Sequence, residues 1–231
     1  MPIYSSLSYT KGKSLCLDIC PEPVREFLLK LSTSWSAEGE MLKNGSRSTV
    51  LQTDIDGAPY ILKIYKKMAF HRRLRYALTR SRAFQSWDSG QSMSEAGIPV
   101  AQPLAILEER NFGIPGRSIL LMPVAQGNDL LSLIQENQLS SEQLNEVAAK
   151  LTSIFKQMKE ASLTHGDMKA TNILIDDQLN PMLIDIDGAV LHRSRKSFEA
   201  LRSKDAARFM KNWQTHPEAQ EAFRDVFGKS H

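Results

Sequence analysis

The sequence predicts an α+β fold in two parts, a mostly antiparallel sheet followed by a helical half. Three observations carry that expectation. Strand-like stretches joined by Asn-Gly and Asp-Gly turns occupy the region from about residue 40 to 122. Past Gly127, apolar residues recur at helical spacing. The change of character falls near Met122–Gly127, which places one part at 1–122, with an N-terminal extension of 1–40, and the other at 123–231.

With 231 residues the chain can build one substantial globular unit or two small lobes sharing a cleft. Its 42% hydrophobic and 24% charged residues exclude a disordered chain. A net charge of +3 is too small to demand a nucleic-acid partner, and no recognition motif for one is present. No stretch approaches the roughly 18 apolar residues of a membrane span. The polar N-terminus lacks the apolar core of a secretory signal, so the expected location is cytoplasmic or peripheral to a membrane's inner face. Cys16 and Cys20, a lone pair without partnering histidines, are expected reduced and packed rather than metal-bound.

The elements follow in order. A turn at Asn44–Gly45 opens a strand over Ser48–Asp54, and Asp56–Gly57 makes a tight hairpin to Tyr60–Tyr65. Met68–Ala96 turns helical and carries a dense run of arginines before Gly97–Pro99 ends it. Val100–Leu107 and Ser118–Met122 read as two further strands. Ser140 or Ser141 caps a long helix, with Gln143 in reach of a capping box from Ser140. Leu144, Val147, Ala148, Leu151, Ile154, Phe155 and Met158 form its core face. Short strands at Asn172–Ile175 and Pro181–Ile186 precede a helical end whose buried face is Ala206, Phe209, Met210 and Trp213.

Three segments carry chemistry. Lys63 stands between Leu62 and Ile64 in an apolar strand; alone, it reads equally well as a lysine on the solvent face of an edge strand. Thr164-His-Gly-Asp167-Met-Lys-Ala-Thr-Asn172 and Leu183-Ile-Asp185-Ile-Asp187-Gly follow a hundred residues later. Phosphoryl transfer asks a protein to hold a triphosphate, neutralise its charge and place an acceptor hydroxyl in line. A strand lysine, an Asp and Asn on a short loop, and an Asp ending a nearby strand supply those groups. Mg²⁺ takes oxygen ligands and keeps several waters, so two side chains plus phosphates suffice.

His-Gly-Asp-x-x-x-x-Asn followed by Ile-Asp-x-Asp closely resembles the catalytic loop and metal-binding motif of the protein-kinase-like superfamily. Together with the basic segment after Lys63 and the phrase AGIPVAQPLAIL, it resembles the bacterial lipopolysaccharide core kinases, which phosphorylate heptose or Kdo sugars. The resemblance covers about residues 40–213. It implies a two-lobed kinase-like fold with an antiparallel-sheet N-lobe and a minimal helical C-lobe. It also implies ATP and Mg²⁺ as cofactors and a sugar or glycolipid acceptor. By the same resemblance Asp167 serves the acceptor hydroxyl as base or orienter, Lys169 meets the γ-phosphate, and Asn172 and Asp185 hold Mg²⁺. Lys63 holds the α- and β-phosphates, His165 braces the loop, and Asp187 is an additional metal candidate.

The pattern departs from protein kinases in places. Lys43–Thr49 has one glycine where they have three, leaving Gly45 and Ser46 as the phosphate-loop candidates, with Met122 at the boundary between the halves as a further nucleotide contact. Asp88 and Glu95 compete to pair with Lys63, and Asp88 is preferred for its distance from the GIPV turn. No Ala-Pro-Glu motif follows Gly188, which disfavours protein substrates. The basic stretch 66–82, with Phe70, Leu74 and Tyr76 interleaved, is either a solvated face or a contact for an anionic membrane or phosphorylated glycolipid. The competing readings are an aminoglycoside- or choline-type kinase, an atypical protein kinase, and a catalytically dead binding module. The basic stretch argues against the first, and the filled Mg²⁺ and base positions argue against the last.

Overall fold

The computed structural model describes residues 4–9, 12–17, 20–66, 81–111 and 114–228. It divides into two compact units, Met1–Gln91 with Gln102–Val124, and Ser92–Ala101 with Ala125–His231.

The first unit is built on strands β1 (Tyr4–Tyr9), β2 (Gly12–Leu17), β3 (Glu40–Asn44), β4 (Ser48–Ile55), β5 (Ala58–Tyr65), β6 (Ala105–Asn111) and β7 (Ile114–Pro123). They form one antiparallel sheet in the order β1-β2-β6-β7-β5-β4-β3. The N-terminal extension therefore lengthens the sheet by a hairpin and adds a helix, α1 (Glu22–Ser34). That helix has a proline in its first turn and ends at Trp35, whose left-handed backbone (φ 54°) returns its N–H to Leu31 O. Val24, Leu28 and Leu31 join the sheet residues in one core.

The hairpin between β4 and β5 has Asp56 and Gly57 both at positive φ, 55° and 77°. This is the backbone the right-handed twist of two strands selects, and Asp54 accepts a bond from Gly57 N–H at 2.8 Å. A second helix, α2 (Arg82–Glu95), starts after the residues that the structure leaves undescribed, so most of the basic stretch, 67–80, lies outside the described residues.

The stretch Val100–Leu107 is not one strand, as its composition suggested; β6 begins only at Ala105. Pro99 and Pro103 have no N–H to give a ladder, and Val100 instead makes a parallel bridge to Leu183. Ala101 N–H donates to Leu183 O and Leu183 N–H to Pro99 O, which ties this segment to the second unit.

The second unit contains β8 (Asn128–Asp129), α3 (Leu130–Gln135), α4 (Ser141–Glu160), β9 (Leu163–Thr164), β10 (Ile173–Ile175), β11 (Pro181–Leu183), β12 (Val190–Leu191), α5 (Arg195–Lys211) and α6 (Pro217–Ala222). The capping box at the start of α4 is formed in both directions, Gln143 N–H to Ser140 Oγ and Ser140 N–H to Gln143 Oε1. The stripe from Leu144 to Met158 is buried as its spacing requires. Phe209 near the end of α5 and Trp213 just beyond it are fully buried, and the Phe209 ring meets Phe155, Trp213 and Phe223 edge-on at 5.3 to 5.8 Å. The last strand of the chemistry segment stops at Leu183, short of Ile186, because Asp185 leaves extended backbone altogether. No helix among the described residues is long and apolar enough to cross a membrane.

Candidate active site

In the second unit the His-Gly-Asp loop runs out of β9. Its shape is set from behind by a single buried carboxylate, Asp205 on α5, only 2% exposed. Asp205 Oδ2 accepts the backbone N–H groups of His165 (2.9 Å) and Gly166 (3.0 Å), and Oδ1 accepts that of Met168 (3.3 Å). Three loop amides with no ladder to join thus find a charged acceptor, the strongest kind available to a backbone N–H.

His165 is fully buried. Asp167 N–H donates to its Nδ1 at 3.3 Å, which leaves the proton on Nε2, 2.9 Å from Ile184 O. The ring therefore links the loop to the strand end that carries Asp185. Burial pushes its pKa below the ordinary value, against the pull of Asp205, so the imidazole is neutral.

Gly166 has φ +81°, and a Cβ there would lie 2.2 Å from Gly188 O. No other residue fits so close an approach. The contact fixes the spacing between the loop and the turn Ile186–Gly188, and β9 pairs with β12 immediately beyond it.

On this frame the loop side chains converge. Lys169 Nζ is 2.9 Å from Asp167 Oδ2, and Asn172 Nδ2 donates to Asp167 O at 2.8 Å. That bond turns the amide so that Asn172 Oδ1 is the atom left for a cation. Ile184 N–H donates to Asn172 O at 3.0 Å, which sets Asp185 beside Asn172 along the backbone. Asp185 itself is held left-handed, φ 58° and ψ 49°. For a residue with a side chain that conformation is strained by about 1 kcal/mol or more and concentrates at working sites. Asp187 is exposed on the following turn. Asn172 and Asp185 offer oxygen donors, which suit Mg²⁺.

The first unit holds the remaining expected residues. Lys63 is 9% exposed and sits on an inner strand between β4 and β7, which rules out the solvent-facing edge position. Its Nζ lies 5.9 Å from the Tyr65 ring centroid, at the outer reach of a cation–π contact. Tyr65 Oη and Ser86 Oγ are 3.1 Å apart, which joins β5 to α2 two residues away from both Lys63 and Asp88. Asp88 belongs to the same unit as Lys63, and Glu95, exposed at the end of α2, groups with the other. Gly45 and Ser46 form the β3–β4 turn, closed by Gly45 N–H to Ser48 O and held by Lys66 Nζ on Asn44 Oδ1 and Gly45 O, both at 2.8 Å. Met122 is half-buried in β7 opposite Ile61.

Residues 28–225 match the profile of the lipopolysaccharide kinase (Kdo/WaaP) family. The chain belongs to that family. Family membership makes it a phosphotransferase of the protein-kinase-like type, as the His-Gly-Asp and Ile-Asp motifs led one to expect. It is 24% identical over 215 residues to a 3-deoxy-D-manno-octulosonic acid kinase of Vibrio cholerae, covering 85% of this chain and 86% of the relative. It is 23% identical over 190 residues to the enzyme of that name from Xylella fastidiosa, covering 77% and 74%. A third, from Haemophilus influenzae, is 27% identical over 139 residues, covering 53% of this chain and 56% of the relative.

Two residues of this lipopolysaccharide kinase escaped the sequence reading. Asp205 is one. The other is Arg208, whose Nη1 reaches Gly166 O at 2.7 Å and Asp167 Oδ1 at 3.0 Å. Asp205 did leave a trace: it lies seven residues after Phe198 and four before Phe209, in line with the buried stripe of α5. A carboxylate on an apolar stripe must have partners.

Proposed function

We propose that the chain is an ATP-dependent kinase that phosphorylates a hydroxyl of 3-deoxy-D-manno-octulosonic acid (Kdo) in the lipopolysaccharide core. The observation that carries the reading is Asp167, whose half-exposed carboxylate is held by Lys169 and Arg208 and whose backbone carbonyl is held by Asn172, in a chain of this family. Kdo is favoured over heptose by the names its relatives bear.

The acceptor hydroxyl donates its hydrogen bond to Asp167. Its oxygen attacks the γ-phosphorus as the bond to the bridging oxygen of ADP breaks, and the hydroxyl proton passes to Asp167. Lys169 moves onto the γ-phosphate oxygens and Lys63 holds the α- and β-phosphates, with Asp88 its carboxylate partner. Gly45, Ser46 and Met122 complete the nucleotide contacts. Asn172 and Asp185 hold Mg²⁺, with Asp187 as a further ligand; bound there, the ion neutralises triphosphate charge. A lipid-linked acceptor places the reaction at the cytoplasmic face of the membrane, where the basic stretch 66–82 meets anionic lipid.

The test offers γ-labelled Mg-ATP and two acceptors to the full chain. One is lipid A bearing Kdo with free hydroxyls and no heptose; the other is a heptose-bearing core whose Kdo is already phosphorylated. Label on the first, falling about 10²–10⁴-fold with Asp167→Asn, is the expected result. Label on the second alone would make the protein a heptose kinase, and label on neither would sink the reading.

A further inference from the structure

Among the described residues, Asp167 is held by two cations that are not equivalent. Lys169 lies two residues along the same loop, and takes Oδ2 through one contact of 2.9 Å. Arg208 comes from α5, takes Oδ1 at 3.0 Å and, through the same Nη1, Gly166 O at 2.7 Å. It stands three residues after Asp205, so one face of one helix grips the loop twice. Asp205 accepts its amides, and Arg208 donates to a carbonyl and to the carboxylate.

Stability does not account for Arg208. Its side chain is 44% exposed and that of Asp167 36%, and ion pairs so exposed contribute little. Geometry does account for it. One Nη1 of a planar guanidinium bonded to two acceptors ties the carboxylate to the loop backbone, whereas an ammonium with one contact acts as a mobile point charge. An arriving phosphate can draw Lys169 off by exchanging one contact; drawing off Arg208 breaks two.

We infer that Arg208 is a positioning residue that keeps the Asp167 carboxylate aimed while Lys169 transfers to the phosphate. The inference rests on the phosphotransfer reading above. Without Arg208, Asp167 retains Lys169 as its sole cation among the described residues, and the two tasks compete for one side chain.

The experiment compares Arg208→Ala and Arg208→Lys with wild type in the full chain. In Arg208→Ala, kcat falls about 10- to 100-fold, as expected for a misplaced reacting group. KM for ATP and the thermal midpoint stay near wild type. Low-millimolar guanidinium restores a measurable part of kcat, while equal sodium or methylammonium does not. Arg208→Lys falls between, with charge but without the planar guanidinium and its reach. An unchanged kcat in Arg208→Ala, or a loss that guanidinium leaves in place, overturns the inference.

The two readings fail separately. If wild type moves no phosphate to either acceptor, trace acylation of Lys169, read by mass spectrometry, still tests Arg208. In Arg208→Ala the Asp167 carboxylate no longer shares its charge with the guanidinium, so it holds Lys169 more tightly and the lysine's acylation slows by about threefold, the scale of an exposed ion pair. An unchanged rate overturns the assignment whatever the enzyme's substrate.

Discussion

In the first unit the lysine of interest is placed by repetition, and in the second the carboxylate of interest is placed by a few polar atoms. Lys63 rides on β5, which has hydrogen-bonded neighbours along its length on both sides. Its position is the sum of many ladder bonds and packed side chains, including Leu62 at 0% exposure. Asp167 rides on a loop, and its place depends on Asp205, His165, Arg208 and the approach of Gly166 to Gly188. Many weak constraints degrade gradually under substitution, while a few strong ones fail singly. Damage to the second unit should therefore be abrupt.

The largest effect expected is at Asp205. Asp205→Ala leaves three loop amides without their acceptor and should destabilise the protein by about 3–5 kcal/mol while abolishing transfer. Urea unfolding of the full chain would measure it, and a loss below about 1 kcal/mol would contradict the clasp. A paired test on glycines compares the units directly. Gly57 and Gly166 share positive φ, +77° and +81°, but a Cβ at Gly57 meets nothing within 4 Å. Gly57→Ala should cost about 1 kcal/mol and spare activity. Gly166→Ala adds an overlap with backbone, should cost about 3 kcal/mol, and should remove activity. Equal losses in the two variants would erase the distinction.

The smallest effect is a pH slope. Burial pushes the pKa values of both His165 and His192 below the ordinary value, with Asp205 pulling each the other way. Between those lowered values and about 6.5, the unfolded chain binds more protons than the folded one. Stability should therefore be lost as pH falls below about 6.5, by at most about 1.4 kcal/mol per unit for each histidine, with no contribution from them above it. His165→Gln should flatten the slope by up to one proton; an unaltered slope would mean the ring is not held neutral.

How far the sequence discloses each region follows from the same contrast. The β4–β5 hairpin, the capping box of Ser140 and Gln143, and the α4 stripe all come from neighbours within a few residues, so local spacing reveals them. The residues from Asp167 to Asp185 announce themselves through a motif. The grip of α5 does not, because Asp205 and Arg208 stand 37 to 42 residues from the amides and carbonyl they bind, in a helix that otherwise looks solvated. The place of β2 in the sheet was equally hidden, because its pairing with β6 some ninety residues away leaves no local signature; α1 is different, since Val24, Leu28 and Leu31 stand at a helical spacing that is local.

The left-handed backbone of Asp185 has a consequence for choosing variants. Asparagine and glycine settle at such a position with least resistance, and alanine does not. An alanine variant there confounds two losses, an oxygen donor and a comfortable main chain, and its phenotype overstates the carboxylate. Asparagine keeps the bend and changes only the charge, so Asp185→Asn is the cleaner control, and Asp185→Gly, which loses the side chain without main-chain strain, isolates the oxygen donor.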